Sequence, residues 1–252
     1  NNMIKKGYCN DIDDNKSKSM ELFNIGYWKD ISYDIMPYYN ASVQLETYIL
    51  SKINIVNNND IGNDRILIIN PSAHMLNNSV LRKSYFLFTS IDRYELLLSD
   101  IERNNVSALI LNPNGTIPYV DGCIDKILNI ETNIGCEREK LIKECYRILK
   151  PKTGTFIFST IDVSNKFKAY PISCMYDIPV NNIVSIEKTL DKICENTTDL
   201  TYNVEDITEY SLLSLLNFFY NMSDIGRKVN IVNYIQRIVN AKYFIIMCNK
   251  ID

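Results

Sequence analysis

Few residues in this chain are equipped for chemistry. The single histidine, His74, stands in the run RILIINPSAH at 65–74, and imidazole is the side chain most often used as a general base near neutral pH. Ahead of it come four branched apolar residues, Ile66, Leu67, Ile68 and Ile69, as in the first strand of a nucleotide-binding sheet. Such a strand should pass into glycines, which let the backbone turn sharply and approach a ligand closely. Here it passes into Asn70, Pro71, Ser72, Ala73 and His74, and Pro71 fixes its own φ near about −65° and removes one N–H from the loop. The neighbouring carboxylates Glu205 and Asp206 fall beside an expected strand end, where a solvated or capping role is the default. The seven cysteines are odd in number and form no CxxC pair. They fit a reduced compartment better than a disulfide framework or a zinc site, so no metal is expected.

The elements that must position these residues follow from length and pattern. At 252 residues with 46% hydrophobic side chains, the chain can bury a sizeable core as one large α/β domain or two small ones. No repeat and no Pro/Gly/Ser-rich linker divides it, so a single domain over 20–252 is expected, behind a flexible polar segment at 1–19. Its parts are an N-terminal helical part at 20–60, a core at 65–162 and a C-terminal part at 163–252. The net charge is −3, with Lys and Arg dispersed, which argues against nucleic acid. No apolar run approaches the roughly 20 residues of a membrane span, and no basic-then-apolar leader opens the chain. The expectation is a cytoplasmic protein with no membrane partner. The NxS/T triplets at Asn40, Asn105 and Asn114 are what an Asn-rich chain yields by chance.

ASVQLETYILSKINIV, with Leu45, Ile49 and Ile53 at steps of four and Tyr48 on the same side, predicts an amphipathic helix. From residue 65 short β-rich runs alternate with helical ones: RILIIN, YFLFTS, RYELLLSDIERNN, VSALIL, DKILNI, REKLIKECYRILK and TFIFSTI. That alternation predicts a parallel sheet covered on both faces. In REKLIKECYRILK the face Leu141, Ile142, Cys145, Ile148 and Leu149 is apolar, and Pro151 stops the helix. A helix around SIEKTLDKICEN, a strand near LTYNVEDIT, a long helical region from Ser211 to Val239 and a buried final strand, AKYFIIMCNK, complete the pattern. The last strand is expected to close an edge of the sheet.

The order of these pieces, with certain words inside them, resembles class I S-adenosylmethionine-dependent methyltransferases, particularly those acting on small molecules. The main words are IPYVDGCIDKILNIE and REKLIKECYRILKPKTGTFIFSTID, within 117–162. Ile117, Pro118 and Tyr119 stand where members read LPF, Ile124 and Asp125 where they read FD, and Arg147 to Pro151 where they read RxLKP. FNIGYWKD, with Gly26, Tyr27 and Trp28, is similar to their N-terminal GYW element, and VEDIT at 204–208 to a later segment. The resemblance covers roughly residues 20 to 250. It implies a Rossmann-like seven-stranded sheet with helices on both faces, N-terminal helices and a helical insertion before the last strand.

The resemblance also assigns a cofactor site, and the chain departs from it. Laying VLDxGxGxG over the first strand puts Ile68 at the acidic position and Asn70, Ser72 and His74 at the three glycines. Asp92 in TSIDRY fits the acidic residue that holds the ribose hydroxyls, and Asn112 and Asn114 stand where a carboxylate reads the adenine amine. An Asn can still accept from that amine. For an acceptor pocket the resemblance offers Tyr27, Trp28 and Tyr119, with Phe218, Phe219 and Tyr220 in the helical region. No catalytic residue is assigned, since His74 belongs to the cofactor loop.

A sound frame around a loop without its glycines favours a methyltransferase-like protein that does not methylate alone. It would act as a structural or regulatory subunit, in a homo- or hetero-oligomer with a methyltransferase homologue. An active enzyme for a small or lipophilic acceptor, using S-adenosylmethionine through a remodelled loop, is the second reading. A module binding another small molecule in the same cleft, with no S-adenosylmethionine, is the third.

Overall fold

A computed structural model describes residues 24–31, 37–55, 63–131, 137–176, 179–197, 199–215, 217 and 240–251. The segment 1–19 and the aromatics Phe218, Phe219 and Tyr220 lie outside the described residues. The chain enters helix α1 (Pro37–Lys52), whose inward residues Ala41, Leu45 and Ile49 are fully buried. Strand β1 (Ile66–Ile69) follows and is buried at all four positions. Each such side chain is worth about 1.5–3 kcal/mol over its exposed state, and burial on both faces explains why this run does not alternate.

Next come α2 (Ala73–Asn77), β2 (Tyr85–Phe88), α3 (Ile91–Leu96), α4 (Leu98–Asn104), β3 (Ser107–Ile110) and β4 (Lys126–Asn129). Helix α5 (Arg138–Ile148) buries Leu141, Ile142, Cys145 and Ile148 as the pattern predicts. It leads into β5 (Thr155–Asp162), α6 (Lys166–Tyr176), α7 (Ile186–Asn196), β6 (Leu200–Asp206) and β7 (Lys242–Lys250). Helix α6 has no counterpart in the sequence reading.

The seven strands form one sheet in the order β3-β2-β1-β4-β5-β7-β6. Strands β1 to β5 pair in parallel, whereas β7 runs antiparallel between β5 and β6. The last strand therefore does not close an edge; it is inserted inside the sheet, where its Tyr243–Cys248 run finds partners on both sides. One apolar cluster packs α1, α2 and the segment with Tyr27 and Trp28 on one face. A second packs α5 and α7 on the other. Strand order reverses direction between β1 and β4, so the crevice outside their carboxyl ends is the natural ligand site of such a sheet.

Candidate functional site

The site is built from the tip of β1. Asn70 has φ +50, in the left-handed region that Asn tolerates better than most side chains. It is buried, and its amide spans to the tip of β2. Its Oδ1 accepts from the Thr89 backbone N–H at 2.9 Å and lies 3.1 Å from Thr89 Oγ1, while its Nδ2 donates to that oxygen at 2.9 Å. Ser72 is also buried and caps α2, its hydroxyl accepting from the Met75 N–H at 3.1 Å. Ser72 itself has φ −80 and ψ 165, the extended backbone that suits an N-cap.

His74 faces back to α1, where its Nδ1 is 2.7 Å from Glu46 Oε2. The Glu46 side chain is 2% exposed, and its other oxygen accepts from Asn24 Nδ2 at 3.4 Å. Asn24 Oδ1 in turn takes the Gly26 N–H at 2.9 Å. The hydrogen bond to Glu46 is the main reason the His74 pKa is raised, and partial burial opposes it. The imidazole is thus held as hydrogen-bond partner to the buried Glu46 carboxyl group, a structural placement. Gly26, at φ +82, allows the segment to press on α1, since a Cβ there would lie 2.8 Å from Ala41 Cβ.

A residue the sequence reading missed stands at the carboxyl end of β4. Glu131 has φ +58, and its Oε1 accepts from the Ile25 N–H at 2.6 Å and lies 3.2 Å from the fully buried Tyr243 hydroxyl. The Glu131 N–H donates to Ser159 Oγ at 3.0 Å. A non-glycine left-handed residue carrying a carboxylate at a strand tip is the kind of strained position that clusters at functional sites. No local sequence signal marks it, because the partners of its carboxylate lie over a hundred residues away in the chain.

Beside this frame lies a cavity of about 280 Å³, lined by Thr89, Leu111, Asn112, Pro113, Asn114, Gly115, Glu137, Lys140 and Leu141. It sits at the carboxyl ends of β2 and β3 against the first turns of α5. Asn112 and Asn114 both reach it. Asn112 Nδ2 donates to Thr116 Oγ1 at 2.9 Å, which leaves its Oδ1 as an acceptor, whereas Asn114 Oδ1 accepts from the Thr116 N–H at 3.0 Å.

Other expected site residues are not brought together. Strand β2 ends at Phe88, so its tip is Thr89; Asp92 lies in the first turn of α3, exposed and outside the cavity lining. Tyr27 and Trp28 are buried in the cluster on the α1 face, where Tyr27 stacks on Tyr48 with centroids 4.6 Å apart. Trp28 Nε1 donates to the Ile25 carbonyl at 2.8 Å. Tyr119 packs with the opposite cluster, edge-on to Tyr85 at the amino end of β2, 5.6 Å between centroids. Burial there pushes its hydroxyl up to about 12. The three aromatics therefore do not line one pocket.

Comparison with known proteins gives fold and no more. No model of a known family matches the sequence, and no curated relative does. Among solved structures, the chain is similar to geranyl diphosphate C-methyltransferase from Streptomyces coelicolor A3(2), with a TM-score of 0.70 at 13% identity over 93% of both chains. That enzyme holds Mg2+, geranyl diphosphate and S-adenosyl-L-homocysteine. This chain is also similar to the [4+2]-cyclase SpnF, with a TM-score of 0.63 at 13% identity over 90% of this chain and 88% of that one. Haemonchus contortus phosphoethanolamine N-methyltransferase 2, bound to S-adenosyl-L-methionine, aligns with a TM-score of 0.59 at 14% identity over 82% of this chain and 52% of that one. The chain has the fold of the class I S-adenosylmethionine-dependent methyltransferases.

The resemblance would set part of S-adenosylmethionine against the β1 loop. Asn70, Ser72 and His74, which the resemblance lays over three glycines, each carry a side chain engaged with another element or with the cap of α2.

Proposed function

We propose that this chain is a methyltransferase-fold protein that does not transfer methyl groups alone and acts as a structural or regulatory subunit beside a methyltransferase homologue. The observation that carries the reading is the polar clasp at the β1 tip: Asn70 joined to Thr89, with His74 paired to the buried Glu46. These bonds stabilise the closed loop, and opening it for a cofactor would cost the buried Glu46 its hydrogen bond to His74, about 1–3 kcal/mol. A cleft held shut by such contacts retains the fold while losing the clearance that S-adenosylmethionine needs. The test is methyl transfer from labelled S-adenosylmethionine by the chain, by a homologous methyltransferase from the same source, and by the mixture. A stable complex with an altered partner rate supports the reading. Transfer by the chain alone refutes it.

A second reading, a small-molecule methyltransferase or binding module, draws on the 280 Å³ cavity and the acceptor at Asn112. That volume is at the lower end of ligand pockets, about 300–1,000 Å³. The cyclase among the similar structures illustrates that this fold carries more than one chemistry. If the crevice is active, its cofactor is S-adenosylmethionine.

A further inference from the structure

The segment 24–28 is buried and is bonded to both sides of the crevice between β1 and β4. Toward β1, Asn24 Nδ2 donates to Glu46 Oε1 at 3.4 Å, and the other oxygen of Glu46 lies 2.7 Å from His74 Nδ1. The Asn24 carbonyl takes the Tyr38 hydroxyl of α1 at 2.7 Å. Toward β4, the Ile25 N–H donates to Glu131 Oε1 at 2.6 Å. That carboxylate lies 3.2 Å from the Tyr243 hydroxyl on β7, which is 2.9 Å from Ser159 Oγ on β5. Polar contacts therefore run without a gap from His74 in the β1 loop to β4, β5 and β7, and Asn24 and Ile25 are the links between the two sides. Beyond these links the segment is fixed. The Tyr27 and Trp28 N–H groups donate to the Ala41 and Tyr210 carbonyls, and both rings are buried in the α1-side cluster. Gly26, at φ +82, stands where the links meet the fixed part, the kind of position that serves as a hinge.

We infer that Asn24 and Ile25 move together with the β1 loop, so that the two sides of the crevice open as one unit and the Glu131 bond to Ile25 is the latch for both. The inference deepens the closed-loop reading given above and rests on it. Its physical basis is the burial of Glu46, whose side chain is 2% exposed. When Asn24 swings out, the Glu46 carboxyl group regains a hydrogen bond only by admitting water, and a buried polar group left short of a partner is costly. Water at Glu46 competes for His74 as well, and His74 ties α1 to the loop that carries Asn70 and Ser72. Coupling between distant groups passes through contiguous hydrogen-bond networks whose members have two arrangements. For a regulatory subunit the consequence is specific: a partner or ligand that draws Ile25 off Glu131 opens the β1 side without touching it.

The experiment is amide hydrogen exchange, read by NMR on the full chain without any ligand. The Ile25 N–H reports the segment, the Thr89 N–H, bonded to Asn70 Oδ1, reports the loop, and the Ile157 N–H, in β5 between β4 and β7, reports global unfolding. Local opening makes the first two exchange faster than the third. Glu131→Gln replaces a charged acceptor with a neutral one and should speed Ile25 and Thr89 alike, about fivefold. Asn24→Ala cuts the link, so in that background Glu131→Gln should still speed Ile25 and leave Thr89 unchanged. A Thr89 rate that ignores Glu131→Gln in the otherwise native chain overturns the inference. So does exchange of Ile25 and Thr89 at the Ile157 rate, since the crevice would then have no opening of its own. No cofactor takes part, so the result is read apart from methyl transfer by the chain, which tests the proposed function.

Discussion

Replacing Asn70 by Gly and by Ala separates the backbone of the β1 tip from its hydrogen bonds. Both variants lose the amide that accepts from the Thr89 N–H at 2.9 Å, and a half-buried donor left unpaired costs about 1–2 kcal/mol. They differ in the backbone, since residue 70 sits at φ +50. Glycine occupies that region freely, whereas a β-carbon costs about 1–2 kcal/mol there. Asn70→Gly should therefore cost about 1 kcal/mol once relief of the Asn backbone is counted, and Asn70→Ala about 2–3 kcal/mol. For a domain of this size that corresponds to melting temperatures lower by about 2–4 °C and about 4–12 °C. Differential scanning calorimetry with matched urea titrations reads both. The order matters more than the sizes, because at ordinary positions alanine is the stabler replacement. An Ala variant equal to or stabler than the Gly variant would refute the left-handed clasp.

Other consequences follow from the same contacts. The His74 pKa is raised by Glu46, so the pair contributes stability that is fully present below the unfolded value near about 6.5. That stability is lost as pH rises through the higher folded value; His74→Gln should flatten this part of the stability–pH curve, and an unchanged slope would count against the pair. Arg138 is buried and its guanidinium donates to the carbonyls of Asn182 at 2.7 Å and Val184 at 2.8 Å. Arg138→Met should cost about 2 kcal/mol or more by removing both hydrogen bonds, read as a lower urea midpoint. Tyr243→Phe removes the hydroxyl beside Glu131 and Ser159 and should cost about 1 kcal/mol, with no change in fold by circular dichroism.

Most of the sheet was legible in the sequence because its strands are short, branched and buried on both faces: ILII, YFLF and TFIFSTID read as strands without help from context. The α5 helix was legible through its apolar face and Pro151. The place of β7 was not, since antiparallel insertion between β5 and β6 is decided by pairing partners distant in sequence. Helix α6 escaped because only Ala169 of its first turn is buried, which leaves no apolar period to read. The site was half legible. That 70, 72 and 74 are not glycines was plain, but what their side chains bond to was not. Glu46 lies on α1 among polar residues and reads as a solvated face until the fold brings His74 to it. Asp92 looked like a strand-tip acid because the strand could not be seen to stop at Phe88.

The most direct test of the central claim is calorimetric titration of the purified chain with S-adenosylmethionine and S-adenosylhomocysteine. With the β1 tip clasped by Asn70 and the Glu46–His74 pair, neither ligand should give binding heat at micromolar concentrations. A micromolar Kd for either would contradict the account and return the crevice to the active methyltransferases.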